Sequence, residues 1–121
     1  MNRKVVDRLI PAAQEALVKT GIANGEVISN SYRGQISTFG AAIINGSLIS
    51  AIAFFSDKGG ASVDRVKLID AIKLLIPDAN TYKNLFEYVK DKGKKNESAV
   101  KEQVLNAAIA LKLAMNLFEL K

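Results

Sequence analysis

The chain has 121 residues, 49% of them hydrophobic and 24% charged, with a net charge of +5. That is enough for one domain with a modest core, over residues 1–121, and too apolar for a disordered chain. It holds no cysteine and no histidine, which excludes disulfides, thiol nucleophiles, Ser-His triads and ordinary zinc, iron or copper centres, and fits a cytoplasmic setting.

Helix-period patterns run through nearly the whole chain and predict an all-α fold, a compact bundle of about six helices with a long C-terminal helix. The first helix is expected from about Asn2 to Thr20, with Gly21 as its stop. Val6, Leu9, Ala13, Ala16 and Leu17 share its apolar face, and Lys4, Arg8, Glu15 and Lys19 the opposite one. Asp7, Arg8 and Glu15 interrupt this segment, so it does not read as a signal peptide. Pro11 falls on the polar side, where a kink is tolerated. Ala23 to Ser29 reads as a loop turning at Asn24-Gly25.

From Val27 to Ser56 the chain has one charged residue, Arg33. Ile36 to Phe55 is long enough to span a bilayer, which takes roughly twenty residues. Its middle, however, is Asn45-Gly46-Ser47, a helix stop followed by a helix start. The segment therefore reads as two helices, one from Asn30 or Ser31 to Asn45 and one from Leu48 to about Lys58, the second capped by Ser47. Tyr32, Ile36, Phe39 and Ile43 form the core face of the first. Its other side carries Gly34, Ser37, Thr38, Ala41 and Asn45 beside Arg33, small uncharged residues where a solvated face usually has Lys and Glu. Two readings stand: another helix of the same domain covers this side, or a partner backbone approaches it.

Ser62 is the expected cap of a fourth helix that ends before Pro77, with Leu68, Ile69, Ile72, Leu75 and Ile76 facing the core. Lys58-Gly59-Gly60-Ala61-Ser62 leads into it without the spacing of a nucleotide-binding P-loop. The segment reads as a cap, a turn and a cap, or as a site for a single phosphate. Arg65 breaks the pattern near the core sector, either snorkelling or pairing with an acid, or reaching a ligand. A fifth helix is expected from Asn80 or Thr81 to Gly93, followed by a loop holding Lys90-Asp91-Lys92-Gly93-Lys94-Lys95, the densest basic cluster. This cluster reads as a solvated turn or as a phosphate contact. The last helix starts at Asn96 and reaches the C-terminus. Its stripes Val104, Ala108, Leu111, Met115, Phe118 and Leu105, Ile109, Leu113, Leu117 place it at the centre of the bundle, or against another subunit. No pair of carboxylates has acid-base or metal spacing, so no enzyme, metal or cofactor is proposed.

Tyr32 through Phe55, followed by Ser56-Asp57-Lys58-Gly59-Gly60, resembles the small helical subunit of the Cmr complex, the type III-B CRISPR RNA-guided effector. An aromatic near a helix start, an Ile-rich helix, a glycine turn and then Leu48-Ile49-Ser50-Ala51-Ile52-Ala53-Phe54-Phe55 carry the resemblance. The first helix ending in Thr20-Gly21 and the last with Leu111-Lys112 fit the same layout. Ser47 separates the glycine from the leucine, and no tryptophan precedes Leu111-Lys112, as departures from the pattern.

The resemblance implies a non-catalytic cytoplasmic subunit of antiviral defence. It would pack beside backbone and large subunits and neighbouring copies of itself and help hold guide and target RNA by backbone and shape. Arg33, Lys58, Arg65, Lys67, Lys94 and Lys95 are then the candidate phosphate contacts, with Arg33 and Arg65 foremost. No membrane and no small-molecule substrate is expected. The alternatives are a helical protein-interaction module without an RNA role, and a small membrane-active protein using the two apolar helices.

Overall fold

The computed structural model describes residues 1–57 and 64–121. Its helices, in chain order, are α1 Arg3–Lys19, α2 Asn30–Asn45, α3 Leu48–Phe55, α4 Arg65–Leu74 and α5 Leu85–Met115, with a short 3-10 turn at Pro77–Ala79. Three two-residue strands, β1 Ala23–Asn24, β2 Val27–Ile28 and β3 Glu119–Leu120, form a small sheet. The bundle with a long last helix is as expected; among the described residues it has five helices, the last of them bent at Asn96.

Side-chain caps explain most helix starts. The Asn2 carboxamide accepts from the Val5 N–H, the Ser29 hydroxyl from Ser31, the Ser47 hydroxyl from Ser50 and the Asn84 carboxamide from Glu87. Asn84 therefore starts the fifth helix, not Asn80 or Thr81; Asn80 instead closes the 3-10 turn begun by Pro77. Asp64 caps α4; the expected cap Ser62 lies outside the described residues. Helix α3 stops at Phe55, short of the expected Lys58, with Ser56 as its C-cap.

The fifth and sixth predicted helices are one bent helix. Asn96 leaves helical geometry at φ −155° and ψ 82°, yet its carboxamide accepts from the Ala99 N–H at 3.1 Å. It acts as an N-cap inside α5, so the expected start is right and the expected loop before it is absent. The Lys90–Lys95 cluster accordingly sits on helical turns. Gly93 does not end the helix, because it needs no special φ there and the N–H pattern continues through it.

Helix α5 touches α1, α2, α3 and α4. Val104, Ala107, Ala108, Ala110, Leu111, Ala114 and Met115 are buried, so the helix is the spine of the bundle. Its second stripe only partly faces inward: Leu105 and Ile109 are half-buried, and Leu113 and Leu117 are exposed. The helix ends at Met115, before the C-terminus, and the tail returns as β3. Strand β3 runs parallel to β2, with the Glu119 N–H donating to the Glu26 carbonyl at 2.7 Å and the Lys121 N–H to the Ile28 carbonyl at 3.0 Å. The expected Ala23–Ser29 loop is thus a hairpin, turning at Gly25 with φ +64°.

The predicted core faces are met on α2 by Tyr32, Ile36, Phe39 and Ile43, and on α4 by Leu68, Ile69 and Ile72. Gly46 makes the α2–α3 corner. A Cβ there would stand 2.9 Å from the Ala42 carbonyl oxygen, so only glycine fits without a shift. No helix among the described residues is long and apolar enough to cross a membrane.

Candidate nucleic-acid interface

Helix α2 presents its unusual side to solvent. Gly34, Ser37, Thr38, Ala41 and Asn45 are exposed, and Ile44 projects among them at 65% exposure. Neither α1 nor α5 covers this side. The Ser37 hydroxyl donates to the Arg33 carbonyl at 3.1 Å and the Thr38 hydroxyl to the Gly34 carbonyl at 3.0 Å. With its hydroxyl hydrogens turned back onto the helix, the face is uncharged, poor in outward donors and, apart from Ile44, small.

The six sequence candidates have different fates. Arg33 lies in the first turn of α2, half-buried, and its Nε is buried with no acceptor among the described residues. Lys94 and Lys95 are exposed near the Asn96 bend and enter no ion pair among the described residues. Lys94 also lines a recess with Leu48, Ile49, Val89 and Gly93, where α5 passes the start of α3. Lys58 lies outside the described residues.

Arg65 and Lys67 are taken up within the fold. Arg65 is 8% exposed. Its guanidinium lies 4.7 Å from the Phe54 ring centre and 5.4 Å from that of Phe55, and its Nη2 donates to the Asp57 carbonyl at 3.5 Å. Phe55 in turn meets Phe39 edge to face at 5.1 Å. The chain Phe39–Phe55–Arg65 therefore ties α2, α3 and the start of α4 together. The inward-leaning Arg65 of the sequence pattern is a cation seated on aromatic rings. The Lys67 ammonium lies over Gly21, 3.5 Å from where a Cβ would be. This sets a positive charge beside the carbonyl end of α1, as the helix dipole favours.

Beside Lys94 and Lys95 lies a Tyr82–Asp91 pair that no sequence pattern announces. The Tyr82 hydroxyl donates to the Asp91 carboxylate. That bond holds Asp91 below its ordinary value, helped by the nearby Lys92, Lys95 and Lys94, and raises the Tyr82 phenol. Nine residues separate the partners, a spacing no local motif marks. Among the described residues no cluster of acidic side chains could hold a metal.

No protein-family model, no curated protein sequence and no solved structure matches the chain.

Proposed function

We propose that the chain is a non-catalytic, cytoplasmic structural subunit of a type III-B CRISPR effector complex, packing along its backbone and helping to hold guide and target RNA through phosphates. The observation that carries this reading is the exposed, uncharged side of α2, flanked at its start by the half-buried Arg33. A surface of small residues admits a close-lying backbone, and a neighbouring guanidinium suits a phosphate. The resemblance through Leu48–Phe55 falls on a real helix, Ser47-capped and packed on α2 through Phe55, which supports the same reading. Arg33, Lys94 and Lys95 are the phosphate contacts within it, and Arg65 and Lys67 brace the helices that present them.

The test is co-expression with the backbone and large subunits and a guide RNA, followed by purification across a salt series. The wild-type chain should co-purify with RNA, and RNA retention should fall steeply with salt. Removing one phosphate-binding cation should flatten the log–log slope by roughly 0.7 to 0.9. Replacing Arg33, Lys94 and Lys95 by alanine should therefore flatten it by roughly two to three units. An unchanged slope would sink the RNA role. Retention in a protein assembly with no salt-dependent RNA contribution would favour the second reading, a protein-interaction module, for which the exposed Ile44 and Ile49 are the supporting feature.

A further inference from the structure

A second site lies away from α2, in a groove of about 570 Å³ between α1, the end of α4 and the middle of α5. That volume falls within the range of small-molecule sites, about 300 to 1,000 Å³. Leu9, Leu75, Ile76 and Pro77 supply apolar lining, and Asn106 and Gln103 of α5 supply amides.

The orientation of those amides is set from behind. Asn106 is only 4% exposed, and its Oδ1 accepts from the Asn2 N–H at 3.0 Å. The Gln103 Oε1 accepts from the Tyr88 hydroxyl at 2.6 Å. Each oxygen is already engaged once inside the fold, which turns the NH₂ end of each side chain the other way, and no group among the described residues accepts from the Asn106 Nδ2. Asn106 and Gln103 are three residues apart on one helix, hence on one face.

Arg8 adds a guanidinium to the lining, and the one acid of the groove, Glu102, already faces the Met1 ammonium at 3.2 Å. The groove therefore combines hydrogen-bond donors and a cation with an apolar floor, and its free acceptors are few.

We propose that this groove binds a small apolar carboxylate, its carboxylate oxygens accepting from the Asn106 and Gln103 amides near Arg8 and its hydrocarbon lying on Leu9, Leu75, Ile76 and Pro77. The site is independent of the RNA-holding reading and would stand if that reading failed.

The experiment is a titration of the ¹⁵N-labelled full chain with octanoate, followed through the side-chain amide resonances of Asn106 and Gln103, with 1-octanol as the matched neutral probe. Octanoate should shift both amide pairs saturably, and 1-octanol should bind at least about tenfold more weakly, since hydrogen bonds to a charged group are the stronger kind. Asn106→Asp keeps the acceptor for the Asn2 N–H and replaces the donors with an oxygen, and should abolish octanoate binding. Arg8→Gln, on an exposed side chain whose loss leaves the core intact, should weaken it about three- to tenfold. No shift at millimolar octanoate, equal binding of octanoate and 1-octanol, or unchanged octanoate binding in Arg8→Gln would each overturn the proposal.

Discussion

Replacing Phe55 by alanine should cost the fold far more than replacing its neighbour Phe54. The two are adjacent in sequence and identical in side chain, but Phe55 is 1% exposed and Phe54 62%. The Phe55 ring is packed on Phe39 and lies under the Arg65 guanidinium. Its truncation removes a fully buried ring and leaves a cavity, at about 3 to 5 kcal/mol. Phe54 has roughly two-fifths of its surface covered. Taking about 1.5 to 3 kcal/mol for a fully buried side chain, the covered part is worth about 1 kcal/mol, and with the stacking on Arg65 its truncation costs about 1 to 2 kcal/mol. The gap, about 1 to 4 kcal/mol, shows as a difference in the midpoints of urea unfolding followed by circular dichroism. Phe55→Ala removes a large share of the roughly 5 to 15 kcal/mol typical of a domain, so Phe55→Leu serves where the alanine variant does not fold. It keeps most of the volume, gives up the ring stacking, and should cost about 1 to 2 kcal/mol. Equal destabilisation by Phe54→Ala and Phe55→Ala would refute the argument that Phe39, Phe55 and Arg65 join the three helices.

Gly46→Ala should destabilise by about 1 to 3 kcal/mol, because the new Cβ meets a backbone carbonyl that cannot swing aside; a thermal melt indistinguishable from wild type would contradict this. Tyr82→Phe should let the Asp91 carboxyl titrate closer to its ordinary range, read by carboxyl NMR. In the wild type the Asp91 contribution to stability is present above the ordinary carboxylate range and lost as pH falls through its depressed pKa, so the variant should show less of this acid-side dependence, the nearby lysines keeping part of it. Ala41→Glu, on the exposed side of α2, should leave the urea midpoint of the isolated chain within about 0.5 kcal/mol of wild type and yet prevent its recovery in the assembled complex. Normal recovery would show that this side faces solvent in the assembly.

The sequence by itself determined the local events. Asn2, Ser47 and Asn96 start helices because each side chain reaches an N–H three residues on, a bond that needs no distant partner. The core faces of α2 and α4 follow in the same way from a 3.6-residue period. The sequence pattern misplaces the start of α5 at Asn80 or Thr81, because the Pro77 3-10 turn takes up Asn80 and the Asn84 carboxamide caps the helix. The candidate site was legible in part: the bare side of α2 could be seen, but whether another helix covered it depended on where α1 and α5 lie. Arg65 already breaks the pattern toward the core along the chain, but what it meets there, Phe54 and Phe55, and the seating of Lys67 over Gly21 depend on how the helices pack. The β2–β3 pairing and the Asn2–Asn106 bond were likewise invisible, since they join groups about ninety or more residues apart. Such contacts form only after the helices have packed and brought their ends together, so the tertiary structure alone decides them.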